Sequence, residues 1–200
     1  MKICGICDLE GGLAAAEAGA DLLGFHFCDS KRRVTPEEAL RIIEELPEGP
    51  ALVGVFIDQP AVEIDAIADY CGLDLVQLHG SEPPGFAVEV PVIKALKVRD
   101  GRLPDHRLWP DDLLLLDSWS ADGRGGTGQA WDWELALDLV RRREVFIAGG
   151  LNPDNVGDVV RRLNPYGVDV SSGVENEPRF KDPIKIERFV AAAKRELRVL

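Results

Sequence analysis

Eight short apolar, β-rich runs alternate along this chain with stretches that repeat apolar residues at helical spacing. That alternation limits the fold more than any other feature. The runs cover residues 2–6, 22–27, 52–57, 75–78, 92–95, 113–117, 145–148 and 167–170. They are mostly continuous rather than strictly alternating, the pattern of parallel strands covered on both faces. The helical stretches cover residues 9–18, 36–46, 60–71, 83–88, 133–141, 153–163 and 184–197. Thr35, Pro36 and Glu38 form a capping box with proline at the first helical position. Asn152 before Pro153 is read in the same manner, followed by an apolar face of Val156, Val159, Val160 and Leu163. Residues 97–109 carry no helical pattern, so the fifth crossover is expected to be degenerate. Eight strands with seven or eight crossovers point to α/β architecture closed into a (β/α)8 TIM barrel, a single domain over 1–200. A six-stranded open sheet would leave two strands unused.

At 200 residues the chain suits one domain, short for such a barrel, and buries about 70% of its unfolded surface without a staple. Its formal net charge of -12 argues against nucleic-acid and anionic-membrane partners, both of which need a basic face. It leaves room for a small anionic substrate held by a few local donors. The opening MKICGICDLE is read as carrying no signal peptide, and no apolar run approaches the ~20 residues of a membrane span. Four scattered cysteines, Cys4, Cys7, Cys28 and Cys71, read as reduced and cytoplasmic.

In a barrel of this kind chemistry sits where strands end and the following loops begin. Strand one ends at Cys4 and Gly5. A thiolate there can act as base or nucleophile if its pKa is lowered; taken alone, a buried structural cysteine is the more common reading. Cys4 and Cys7 form a C-x-x-C, but no second pair or histidine cluster accompanies it, so metal and redox readings are weak. After strand two, Lys31, Arg32 and Arg33 offer a guanidinium for a carboxylate, or simply a solvated charge cluster. Strand four ends with Gln77 and His79 on one side, where His79 binds substrate or serves the structure. His26 and His106 carry no comparable signal.

Asp117 closes a run of four leucines, where desolvation is expected to raise its pKa and suit it to donate a proton; bracing the loop is the alternative. The glycine-rich stretch 123–128 is a candidate to close over a ligand. Gly149 and Gly150 after strand seven, and Ser171, Ser172 and Gly173 after strand eight, offer the backbone N–H groups with which barrels commonly hold phosphate.

The motifs K-I-C-G-I, G-F-x-F, S-K-R-R-V-T-P, V-G-V-F, Q-L-H-G, V-I-K-A, L-L-L-D, G-G-T-G, G-G-L-N-P-x-N-V and D-V-S-S-G-V-E run in order from residue 2 to about 175. As an ordered set they resemble the phosphoribosylanthranilate isomerase family of tryptophan biosynthesis. The resemblance implies an Amadori rearrangement of an aminoaldose to a 1-deoxyketose, with no metal and no cofactor. It implies Cys4 as general base and Asp117 as general acid. It places Arg32 near the anthranilate carboxylate and has His79 and Asp169 line the pocket. Phosphate falls to Gly128, Gly149, Gly150, Ser171, Ser172 and Gly173. Cys7 stands where the family commonly has threonine. The expected partner is a small phosphorylated aminosugar, and the expected state a monomer or homodimer. Two rivals remain from sequence: another phosphosugar barrel, which would need clustered histidines or a strand-end lysine such as Lys94, and a non-catalytic phosphate binder.

Overall fold

The structure, a computed structural model, describes residues 1–118 and 131–197. Among them, eight parallel strands close into a barrel: β1 (Lys2–Cys4), β2 (Leu22–His26), β3 (Ala51–Phe56), β4 (Leu75–Leu78), β5 (Val92–Val98), β6 (Leu113–Ser118), β7 (Val145–Ile147) and β8 (Gly167–Val170). β1 closes the ring on β8 with Lys2 opposite Asp169. Helices α1 (Leu9–Ala18), α2 (Pro36–Ile43), α3 (Ala61–Cys71), α4 (Leu137–Val140), α5 (Val156–Leu163) and α6 (Pro183–Leu197) supply crossovers and the closing helix. A small antiparallel hairpin, β9 (Glu175–Glu177) and β10 (Phe180–Lys181), follows β8. Among the described residues no helix is long and apolar enough to cross a membrane.

Alternation along each strand divides the barrel. On β2, Leu23 and Phe25 are fully buried beneath the outer helices, while Gly24 and His26 turn inward towards β1. Val53, Ile93, Ala95, Leu115, Phe146 and Ala148 pack together inside the ring. Burying each large member stabilises the fold by roughly 1.5–3 kcal/mol. The polar residues gather above this apolar plug, at the C-terminal ends of the strands.

The capping box of α2 forms as expected: Glu38 N–H donates to Thr35 Oγ1, and Thr35 N–H to Glu38 Oε2. The fifth crossover contains only a 3-10 turn, His106–Leu108. The helix expected over 83–88 is absent. Pro83 and Pro84 lack N–H donors, and Gly85 turns the chain at φ +77, leaving one turn closed by Phe86 N–H to the Pro83 carbonyl. The α5 helix starts at Val156 rather than Pro153. Asn152 Oδ1 accepts from Asp154 N–H in a local turn, and a further turn intervenes before the helix.

Candidate active site

Lys2 and Cys4 lie one alternation apart on β1, both facing into the barrel. Gly24 on the neighbouring strand makes room for them: a Cβ there would stand 2.7 Å from Cys4 Sγ. Cys4 is buried, and its Sγ lies 3.2 Å from His26 Nε2. The other ring nitrogen, Nδ1, lies 2.9 Å from Ser30 Oγ. Lys2 is fully buried and donates to Asp169 Oδ1 at 2.7 Å. Burial alone would pull the Lys2 ammonium down, but Asp169 and Cys4 outweigh it and hold it above its usual value. For Cys4 the balance runs the other way: burial pushes the thiol up, and Lys2 only partly offsets this. Burial and then the surrounding cations, Lys2 first, hold His26 well below its usual value, so its imidazole is neutral.

Arg32 is neither solvated nor idle. It is buried, and Nε and Nη2 donate to Glu175 Oε1 and Oε2 at 2.6 and 2.7 Å. Gly5, at φ +76, permits this approach, since a Cβ there would meet Arg32 Cδ at 2.3 Å. Lys181 joins the same carboxylate at 2.9 Å and also donates to the Ser171 carbonyl. Against the cost of burial, Arg32 and Lys181 hold the Glu175 carboxyl below its usual range. Nη1 is the part of the Arg32 fork not committed to Glu175. Lys31 and Arg33 are exposed.

Asp117 ends β6 and is buried. Its Oδ1 accepts from Ser118 N–H at 2.7 Å, and its Oδ2 lies 3.4 Å from His79 Nε2, without hydrogen-bond alignment. His79 Nδ1 pairs with the Gln77 amide nitrogen at 2.8 Å, which leaves the Nε2 proton turned towards Asp117. Gly149 presses against this acid: at φ +79, its Cβ would stand 2.9 Å from Asp117 Oδ1 and 2.7 Å from Ser118 N. Gly150 is also at positive φ. The loop after β8 packs on the loop after β7, since a Cβ on Gly173 would strike the Leu151 carbonyl at 1.9 Å.

Cys4, Arg32, His79, Asp117, Gly149, Gly150, Asp169, Ser171, Ser172 and Gly173 all line one cavity of about 390 Å³ at the barrel mouth. That size suits a small ligand. Ser171 Oγ and Gln77 Oε1 are buried lining atoms with no hydrogen-bond partner, so a ligand can satisfy them. Gly128 and the stretch 123–128 lie outside the described residues. Counted through β8 and β7, β6 stands three strands from β1, so Cys4 and Asp117 flank the cavity rather than facing each other across a full diameter.

Lys94 does not reach this cavity. It donates to the Gly80 carbonyl and Glu82 and lies 4.9 Å from the Trp109 ring centroid, so the strand-end lysine singled out from sequence points away from the cavity. Among the described residues no group of three or more His, Cys, Asp or Glu side chains is placed to hold a metal ion.

Sequence reasoning missed Lys2, His26, Ser30, Glu175 and Lys181. The first two were within reach: once Cys4 faces inward, alternation brings Lys2 to the same side, and Gly24 opposite Cys4 brings His26.

The sequence profile described as N-(5'phosphoribosyl)anthranilate (PRA) isomerase matches residues 1–192. The N-(5'-phosphoribosyl)anthranilate isomerase of Pelobacter propionicus is 48% identical over 198 residues, covering 97% of this chain and 95% of that protein. The phosphoribosyl anthranilate isomerase structure from Thermus thermophilus superposes with a TM-score of 0.88 at 39% identity, covering 97% and 98% of the two chains. A phosphoribosyl anthranilate isomerase in complex with reduced 1-(o-carboxyphenylamino)-1-deoxyribulose 5-phosphate superposes with a TM-score of 0.81 at 39% identity, covering 96% and 97%.

Proposed function

The chain belongs to the N-(5'-phosphoribosyl)anthranilate isomerase family of tryptophan biosynthesis, and from that premise we propose that Cys4 and Asp117 carry its Amadori rearrangement as base and acid. The observation that supports this most is the shared cavity: a thiol and a carboxyl flank it, and two glycine- and serine-rich loops border it.

Asp117 gives a proton to the ribose ring oxygen. The C1′–O bond breaks as the anilino nitrogen lone pair forms the C1′=N bond of a Schiff base. The Cys4 thiolate then takes the C2′ proton. The released electron pair forms the C1′=C2′ bond and neutralises the nitrogen, giving an enolamine that tautomerises to the ketose. Each proton transfer of this kind contributes typically 10²–10⁴-fold. Backbone N–H groups of Gly149, Gly150, Ser172 and Gly173 hold the phosphate as neutral dipoles, which suits a protein of net charge -12. Arg32 offers Nη1 to the anthranilate carboxylate, with Glu175 fixing the guanidinium plane. His79 and Asp169 shape the wall between acid and base. Four unpaired cysteines suit a reducing, cytoplasmic setting.

The test follows loss of phosphoribosylanthranilate by its fluorescence. Cys4→Ala should lose 10²–10⁴-fold in kcat with substrate affinity held. A Cys4→Ala enzyme with normal turnover would remove the thiol from the mechanism.

A further inference from the structure

The base has a difficulty that the site itself resolves. Cys4 is buried in the cavity wall, and it must shed its own proton before it can remove one from substrate. Its Sγ contacts one ring nitrogen of His26 at 3.2 Å, and the other ring nitrogen contacts Ser30 Oγ at 2.9 Å. Ser30 is half-buried and lines the cavity mouth. Its Oγ also accepts the Arg32 backbone N–H at 3.1 Å, which leaves the hydroxyl proton to point elsewhere. The chain Cys4–His26–Ser30 therefore runs unbroken from the buried thiol to the rim.

We propose that His26 is a positioning residue for Cys4: its neutral imidazole, with Ser30, relays the thiol proton out of the barrel and then donates a hydrogen bond to the thiolate. This rests on the reading of Cys4 as the base. The thiol proton passes to Nε2 as the Nδ1 proton passes to Ser30 Oγ, and the Ser30 hydroxyl proton passes to water at the mouth. The imidazole ends neutral in its other tautomer. One proton has left, and the negative charge remains on sulfur facing the Lys2 ammonium.

The surroundings favour a relay over a stored ion pair. Lys2 on β1, Arg32 in the loop after β2 and Lys181 on β10 all oppose a second positive charge on His26, as does His79 from the end of β4. Asp169 on β8 answers Lys2, and Glu175 answers Arg32 and Lys181. Asp117 lies beside His79. The Cys28 thiol, packed in the same cluster as Cys4, is pushed up to about 11 by burial. An imidazolium is thus expensive here, while a thiolate has a cation waiting.

Two substitutions separate the relay from a plain hydrogen bond. His26→Leu removes both. A hydrogen bond to a charged group supports a displacement of about one pH unit. The acidic limb of the kcat/KM profile and the pH midpoint of Cys4 alkylation by iodoacetamide, read at that peptide by mass spectrometry, should both move upward by that amount. His26→Gln keeps a donor near Sγ but cannot exchange a proton with Ser30. Its alkylation midpoint should stay near wild type while kcat falls roughly tenfold, below the 10²–10⁴-fold of a direct acid or base. Ser30→Ala, a loop change, should lower kcat in the same direction and covers the case in which His26→Leu fails to fold. A His26→Gln enzyme with wild-type kcat, or a Ser30→Ala enzyme with wild-type kcat, would overturn the relay. Failure of the base assignment reads out separately, as normal turnover of Cys4→Ala.

Discussion

Two buried lysine–carboxylate pairs share one chemistry and serve different ends. Lys2–Asp169 lies inside the barrel, with Lys2 beneath the cavity and Asp169 on its wall. Lys94–Glu82 lies outside it. On β5, Ile93 and Ala95 face the interior plug, so Lys94 between them turns out towards Trp109 and the loop after β4. Glu82 also accepts the backbone N–H groups of Asp58 and Gly80, so this pair stitches the loops after β3 and β4 together. One side-chain alternation decides whether a buried ion pair faces the Cys4 thiol or braces a loop.

Breaking the outer pair gives the largest expected effect, and it falls on stability. Lys94→Met leaves the buried Glu82 without its counter-ion, and removing one partner of a buried pair typically costs about 3–5 kcal/mol. Denaturant unfolding should show that loss with kcat unchanged; a fall in kcat at unchanged stability would erase the distinction between the pairs.

Breaking the inner pair acts on catalysis. Lys2→Met removes the cation that opposes burial of the Cys4 charge, so the thiol rises further and the acidic limb of the rate profile moves to higher pH. kcat at neutral pH should fall roughly 10²-fold, the scale of a disabled proton-transfer group. A rate profile of unchanged shape and height would return Lys2 to a purely structural role.

Acid weakens two of the buried ion pairs. Glu82 is pulled below its ordinary 4.5 by Lys94, and Glu175 by Arg32 and Lys181, both against burial. A carboxyl with a depressed folded pKa contributes stability above its unfolded pKa and loses it as pH falls through the folded value. Stability should therefore drop as pH falls below about 4.5. The double variant Glu82→Gln/Lys94→Met should show a shallower drop than wild type, and an identical slope would mean that the pair carries no linked proton.

The smallest effect belongs to Cys7. Its thiol reaches the Gly5 and Arg32 carbonyls from outside the cavity, and burial pushes it to about 11. Cys7→Ser should retain near-wild-type kcat in the same assay. A dead Cys7→Ser beside a live Cys4→Ala would exchange their roles.

Much of this was legible in the sequence because closure of a parallel barrel depends on continuous apolar runs, and those are local. Cys4, Asp117, His79 and the glycine loops, which line one cavity, stood out because strand ends are local too. The partners were not. Glu175 meets Arg32 across 143 residues and Asp169 meets Lys2 across 167, so no spacing rule connects them. His26 was passed over because a histidine within a strand says nothing until the register places it beside Cys4. The 83–88 segment misled for the opposite reason: its apolar spacing imitates a helix, while two prolines deny the backbone its donors.

If a carboxyl and a thiol divide the rearrangement between them, Asp117→Asn removes the carboxyl's share alone. Asparagine keeps the shape and can still meet the Ser118 N–H through its oxygen, but it has no acidic proton to give. The measurement is kcat together with the substrate dissociation constant. The expected variant is a folded protein that binds substrate with near-wild-type affinity and turns it over 10²–10⁴-fold more slowly. Turnover within a few-fold of wild type would contradict it.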